Sequence, residues 1–131
     1  MAKDERNIYT IQDDSSMGEV KIADEVVGII AALAATEVEG VASMAGNITN
    51  ELISRLGMKN LSKGVRIEVD EEDKVQVYVT INIAYGYAIP EVSRNVQEKI
   101  KSAIENMTGL EVADVNVKVA GVEMESQESA K

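Results

Sequence analysis

The chain lacks the two residue types that most often carry catalysis near neutral pH, because it contains no histidine and no cysteine. Without them the common general base, the imidazole metal ligand and the thiol nucleophile are missing, which leaves carboxylates, lysine, serine and tyrosine. The absence of cysteine also excludes disulfides, zinc-thiolate sites and iron-sulfur ligation. We therefore predict no catalytic residue, no cofactor and no metal site, and we expect the protein not to be an enzyme.

Three local patterns could still suggest chemistry, and in each a structural interpretation is favoured. Ser62 precedes Lys63, but adjacent side chains on a loop rarely face each other, so a Ser-Lys dyad is disfavoured. The acidic run at residues 70–73 lacks the alternating spacing and the distal glutamate of a calcium loop, which favours a solvated turn. The glycines and lysines of residues 57–64 lack the Gly-Lys-Ser/Thr order of a phosphate loop.

Length and charge limit the classes of function. The 131 residues suffice for one compact domain, and no apolar run reaches the length of a membrane span or resembles a signal peptide. The formal net charge of −10 repels phosphate backbones, so general nucleic-acid binding is disfavoured. We expect a cytoplasmic protein that does not insert directly into a membrane.

A β-hairpin is the clearest element that the sequence predicts. Val65, Ile67 and Val69 alternate with polar residues, and the same alternation resumes from Val75 to Ile83 after the acidic run. This period of two on both sides of a polar turn indicates two antiparallel strands with one buried face. Polar residues of the second strand occupy the opposite face, which we expect to be solvated or used for contacts.

Helices and further strands surround this hairpin in the sequence. A short strand at residues 18–22 leads into a helix from Asp24, the expected N-cap, to about Glu37, and a shorter helix follows near residues 49–57. A helix from Pro90 to Gly109 precedes a last strand around residues 115–119. The order β-α-α-β-β-α-β predicts a two-layer α+β domain, with a small, mostly antiparallel sheet and amphipathic helices packed on one face.

The ends of the chain differ in composition from this domain. Residues 1–17 are polar without sustained periodicity, and residues 123–131 are charged with few bulky apolar side chains. We predict a flexible N-terminal segment (1–17), an α+β domain (18–122) and a flexible acidic tail (123–131).

Two groups of residues are candidates for contact with a partner. The first comprises Tyr85 and Tyr87 around Gly86, where tyrosines either cap the edge of the core or anchor an interface. Separately, Glu37 and Glu39 lie in the turn at residues 37–46 after the first long helix and are further candidates through that turn. The second is a cationic patch in a segment without acidic residues, interpreted either as ordinary surface charge or as a contact for acidic protein or lipid: Arg55, Lys59, Lys63 and Arg66.

Five segments of the chain together carry a family resemblance: GEVKIADEVV at residues 18–27, AATEVEGV at 34–41, KGV at 63–65, YGYAIP at 85–90 and VNV at 115–117. With these segments the chain resembles the alkaline-shock-protein family, also called the Gls24 family. The resemblance covers residues 17–122 and implies an abundant cytoplasmic protein linked to envelope stress and held at the membrane by a membrane-anchored protein partner. The family offers no catalytic residues to transfer.

The function expected from both lines of argument is that of a non-enzymatic adaptor. We expect a homo-oligomer whose contacts with itself or a partner use the sheet face and the turn at residues 37–46. It should lie peripherally at the membrane only through a membrane-anchored partner. Two alternatives are a carrier of a small apolar ligand between helices and sheet, and an RNA-binding KH-like module. The first lacks convergent polar groups, and the second lacks the Gly-x-x-Gly loop.

Overall fold

The structure is a computed structural model that describes residues 8–14, 17–44 and 64–124. The predicted short helix near residues 49–57 and most of the acidic tail lie outside these residues. The described elements, in chain order, are β1 (Ile8–Asp14), β2 (Gly18–Ala23), α1 (Asp24–Thr36), β3 (Val41–Met44), β4 (Val65–Val69), β5 (Val75–Ala84), α2 (Ile89–Thr108) and β6 (Val112–Glu123).

The predicted hairpin is confirmed as strands β4 and β5. They pair antiparallel, from Val65 opposite Val79 to Val69 opposite Val75. The apolar residues of β5 are buried from Val75 to Ile83, while the residues between them are half-buried on the opposite face. Because this strand lies in the middle of the sheet, its alternating pattern fixes which face the helices cover.

The acidic run forms the turn of this hairpin. Asp70 organises it, because its Oδ1 accepts hydrogen bonds from the backbone N–H groups of Lys74 at 3.0 Å and Glu72 at 2.8 Å. These bonds, chiefly the one from Lys74, lower the pKa of the Asp70 carboxyl. The acidic run thus forms a turn, as its sequence predicted.

We predict that Asp70 stabilises the fold in a pH-dependent way. A carboxyl group whose pKa is lower in the folded state contributes stability above its unfolded pKa of about 3.9, and the contribution is lost as the pH falls through the folded value. Asp70→Asn keeps an acceptor oxygen and removes the charge. At pH 7 this variant should therefore have a lower free energy of unfolding than the unmodified protein. The difference between the two proteins, measured by urea titration, should become smaller as the pH falls to 3.

Glu71→Gln is the matched control for this pH dependence, because Glu71 is an exposed neighbour in the same turn. The deficit of Asp70→Asn should change more over this pH interval than the effect of Glu71→Gln does, because only Asp70 accepts the two backbone hydrogen bonds of the turn. An Asp70→Asn deficit that stayed constant from pH 7 to pH 3 would show that the charge of Asp70 contributes nothing.

Both helices pack on the same face of the sheet and on each other, which confirms the two-layer α+β class. In α1 the buried residues include alanines on several sides of the helix, as its broad apolar stripe predicted. In α2 the buried stripe is narrower, and it consists mainly of Val92, Val96, Ile100 and Ile104. Pro90 lies in the first turn of α2, and Gly109 ends the helix in the left-handed conformation, both as predicted.

The start of α1 differs from the expectation. Asp24 is the first helical residue, Ala23 occupies the N-cap position, and no side-chain hydrogen bond caps the helix. The reason is that β2 continues to Ala23, so the chain changes from strand to helix without an intervening loop residue.

The sheet has β5 at its centre. Strands β3 and β4 pair antiparallel with different parts of one edge of β5, and β6 pairs parallel with its other edge. Helix α2 forms the crossover between β5 and β6, which a parallel pair requires. The elements predicted within the described residues therefore occur in the predicted order, to which the structure adds β1 and β3.

Strands β1 and β2 form a separate antiparallel ribbon in which Ile8 lies opposite Ala23 and Asp14 opposite Gly18. Residues 8–14 belong to the segment that was predicted to be flexible. They form a strand because their main chain pairs with β2, and their sequence IYTIQDD carries no strict alternation that would reveal this pairing. Val20 of β2 is exposed, so the ribbon has little core of its own.

No helix among the described residues is long and apolar enough to cross a membrane.

Candidate interaction surface

Three chain segments meet at one end of the sheet: the turn after α1, the loop between β5 and α2, and the end of β6. The backbone N–H of Ala84 donates to the carbonyl of Gly40 at 2.8 Å, and that of Tyr85 donates to the carbonyl of Glu123 at 2.8 Å. The loop is therefore held on both sides. We call this region, defined by Glu37, Glu39, Gly40, Tyr85 and Tyr87, the tyrosine end.

Tyr87 packs on the turn after α1. A Cβ atom placed on Gly40 would lie 2.9 Å from Cδ2 of Tyr87 and 2.7 Å from Cγ2 of Val92, so the ring and the valine fill the space beside this glycine. The Tyr87 hydroxyl also lies 3.5 Å from Oε2 of Glu39, a long and weak hydrogen bond. Tyr87 therefore closes the edge of the core while its outer side stays exposed.

Tyr85 has different surroundings. Its side chain is 64% exposed, and its hydroxyl makes no hydrogen bond with a described residue. Gly86, at a positive φ of 103°, turns the chain between the two tyrosines. An aromatic side chain left this open, in a protein with only four aromatic residues, is suited to contact with another molecule.

Three other exposed apolar residues lie near this loop, at the start of α2 and at the end of β6. Ile89 begins α2 directly after the loop, and Val122 and Met124 flank Glu123, whose carbonyl binds the Tyr85 amide. Together with Tyr85 they give this end of the domain several apolar side chains in contact with solvent. Exposed apolar side chains concentrated at one end of a domain are suited to contact with another molecule.

Acidic side chains border these residues. Oε1 of Glu37 lies 3.7 Å from Nζ of Lys99 on α2. This exposed ion pair contributes little stability, but it connects the turn to the helix. Glu39 lies beside Tyr87, as described above. The structure thus brings Glu39 of the turn beside Tyr87 of the loop, two residues that are separate candidates in the sequence.

The predicted cationic patch is described only at Arg66, since Arg55, Lys59 and Lys63 lie outside the described residues. Nε of Arg66 lies 2.9 Å from Oε2 of Glu68, and its guanidinium stacks 4.2 Å from the centre of the Tyr78 ring. Arg66 therefore belongs to the polar face of the sheet, where it already has an anionic and an aromatic neighbour.

A match to a family model decides the wider relationship. The model of the alkaline-shock-protein 23 family, which has a cell envelope-related function, matches residues 12–124. The chain belongs to this family. The resemblance inferred from the sequence segments is thereby confirmed, and the matched residues contain the whole tyrosine end.

Individual relatives of this alkaline-shock-family chain include two Bacillus subtilis (strain 168) proteins. The uncharacterized protein YqhY is 34% identical over 125 residues, which cover 95% of this chain and 92% of YqhY. The uncharacterized protein YloU is 33% identical over 115 residues, 86% of this chain and 95% of YloU. A stress response regulator gls24 homolog of Streptococcus pyogenes serotype M3 is 28% identical over 117 residues, 87% of this chain and 64% of the homolog. No solved structure matches.

The alkaline-shock-family domain also contains a polar network that the sequence analysis missed. Ser43, which is buried, donates a hydrogen bond to Oε2 of Glu123 at 2.7 Å and accepts one from Nδ2 of Asn82 at 3.0 Å. Glu123 was assigned to the flexible tail, but it is the last residue of β6. An irregularity in the pairing near Ala120 places Glu123 on the same face as Asn82, and no local pattern indicates this shift.

The described residues contain no cluster of acidic side chains arranged to hold a metal ion. The groove found beside β6 is open and has a volume of about 300 Å³. It lies between α2 and the outer edge of β6, away from the tyrosine end, and its lining includes Gln97, Lys101 and Asp114.

Proposed function

We propose that this protein is a non-enzymatic adaptor of the cell-envelope stress response, which self-associates and binds a membrane-anchored protein partner through the tyrosine end. The family supports the envelope role, and a relative named as a stress response regulator homolog supports the link to stress. The lack of histidine and cysteine supports a role without catalysis. In this proposal the protein is cytoplasmic and peripheral at the membrane.

The observation that carries the proposal is the exposure of Tyr85. This residue lies on a fixed loop, and other exposed apolar side chains lie at the same end of the domain. The backbone bonds of Ala84 and Tyr85 hold this loop on both sides, so it needs little ordering when a partner binds. Aromatic anchors surrounded by a polar border are typical of protein interfaces. The carboxylates of Glu37 and Glu39 provide such a border, and they disfavour direct contact with anionic lipid.

Replacing Tyr85 tests this role of the tyrosine end. We expect Tyr85→Ala to weaken partner capture by about tenfold or more, because truncating a central aromatic anchor costs about 2 kcal/mol or more. Tagged protein is cross-linked in native cells, and captured membrane proteins are quantified by mass spectrometry. Deleting the partner identified in this way should move the protein out of the membrane fraction.

Met107→Ala is the matched control, because Met107 is even more exposed but lies near the other end of α2. It should leave capture unchanged. Equal capture by the Tyr85→Ala variant would exclude the tyrosine end as the contact. Strong binding of the purified protein to vesicles with anionic lipid at physiological salt would contradict attachment through a partner.

A further inference from the structure

The outer edge of β6 is an unusual feature of the sheet. This twelve-residue strand pairs with β5 along one side, and no described strand pairs with its other side. A long free edge presents unpaired N–H and C=O groups to any second strand. The directions of its main-chain groups and the charges of its side chains determine which strand can pair with it.

The directions of the main-chain groups follow from one contact. Nε2 of Gln97, on α2, donates to the carbonyl of Val115 at 3.0 Å from outside the sheet. The pairing with β5 is regular from Asp114 to Val119, so the main-chain groups of Val117 and Val119 also point outward. The side chains of Asp114, Asn116 and Lys118 lie on the polar face, opposite Gln76, Tyr78 and Thr80 of β5.

We propose that this edge binds the same edge of a second copy of the chain, antiparallel, about a two-fold axis at Asn116. The proposal rests on the self-association proposed above and names its surface. In this arrangement Val115 lies opposite Val117 of the second copy, and the two such pairs form about four backbone hydrogen bonds. The sheets of the two copies then join into one continuous sheet, with both sets of helices on the same side.

Charge complementarity selects this register. An axis at Asn116 places Asp114 opposite Lys118 of the second copy, twice, and opposite charges directly across a strand pair are favourable. An axis at Asp114 or at Lys118 would instead place like charges opposite each other. Neither of these two side chains forms an ion pair with another described residue. By contrast, Arg66 on the edge strand β4 already pairs with Glu68 of its own strand.

Two side chains of α2 contact the outer edge of β6. Besides Gln97, these include Lys101, whose Nζ lies 3.4 Å from the carbonyl oxygen of Val112. Both side chains are exposed and belong to the helix surface, so they can move aside, and a carbonyl oxygen can accept two hydrogen bonds. Gln97→Ala is therefore expected to strengthen the association.

A cysteine on the axis tests the register directly. In the proposed dimer, Asn116 of one copy lies opposite Asn116 of the other at a non-hydrogen-bonded position. The two Cα atoms of such a pair lie about 4.5 Å apart, within the range of disulfides. Because the protein has no cysteine, Asn116→Cys introduces the only thiol. Oxidation with copper phenanthroline should give a covalent dimer on a non-reducing gel. Ala120→Cys, exposed on the same strand but far from the axis, should not.

Exchange of the charges tests the ion pairs. Asp114→Lys and Lys118→Asp should each weaken dimerisation by about tenfold, because each places like charges opposite each other, and the double variant should restore it. The two single variants move the net charge in opposite directions. A general charge effect would therefore change their association in opposite directions, whereas the proposed pairing weakens both. Analytical ultracentrifugation measures each dissociation constant.

The outcomes separate this surface from self-association in general. Oligomers that persist while Asn116→Cys fails to cross-link and the charge variants associate normally would overturn the β6 edge and leave the proposed adaptor intact. A protein that remains monomeric at high concentration would overturn both the edge and self-association. A specific Asn116→Cys dimer together with rescue by the double charge variant supports the proposal.

Discussion

Gly40→Ala is expected to lower the free energy of unfolding by about 2–6 kcal/mol, because two costs add at this position. Gly40 has a φ of 100°, and a side chain in such a conformation costs about 1–3 kcal/mol. The new methyl group would also lie 2.7 Å from Cγ2 of Val92 and 2.9 Å from Cδ2 of Tyr87, and overpacking costs a further 1–3 kcal/mol, approximately. Urea denaturation measures the sum.

Gly86→Ala separates the two costs. Gly86 has nearly the same φ, 103°, but an added Cβ would meet no atom within 4 Å. This variant therefore carries the backbone strain alone, and the reduced freedom of the unfolded chain contributes equally to both variants. We expect Gly86→Ala to cost about 1–3 kcal/mol less than Gly40→Ala. Equal losses would mean that Tyr87 and Val92 move aside freely.

The same pair of variants bears on function. If Tyr87 must shift to accommodate alanine at position 40, the loop that carries Tyr85 shifts with it, because the two residues flank Gly86. Partner capture should then fall in Gly40→Ala even under conditions where the variant is fully folded. Near-ultraviolet circular dichroism, dominated here by the four tyrosines, reports such a change of packing.

Elements that depend on local patterns could be predicted from the sequence. The alternation from Val65 to Ile83 specified the hairpin, and Pro90 and Gly109 marked the two ends of α2. These signals are local because strand alternation, the missing amide of proline and the left-handed glycine each act within a few residues. The segments that resembled the alkaline-shock family were equally local, and the family match confirmed them.

Features that depend on distant residues could not be predicted. Strand β1 forms only through pairing with β2, and the parallel alignment of β6 follows from the crossover by α2. The contact between Ser43 and Glu123 joins residues 80 positions apart. The sequence could group Tyr85 with Tyr87, but it could not show that Tyr87 packs on Gly40 while Tyr85 stays open. That difference arises from the turn after α1.

Ile81→Ala is expected to lower the free energy of unfolding by about 2–5 kcal/mol, the usual cost of a cavity in a core. Ile81 is fully buried at the centre of the sheet, where β5 contacts both β3 and β6. Met44 lies opposite it on β3 and Val119 on β6, so these two strands limit how far the site can collapse. Chemical denaturation with an unchanged m-value would show that the loss reflects stability alone.

Thr80→Ala is the control for Ile81→Ala, because the two residues are neighbours on β5 with side chains on opposite faces. Thr80 lies on the polar face beside Lys118 of β6, and its loss should cost about 1 kcal/mol or less. A comparable loss from both variants would show that the polar face is packed as tightly as the core. The proposed self-pairing would extend this polar face from one copy to the next. A polar face that tolerates substitution is expected if its residues serve contacts between molecules rather than the stability of the single domain.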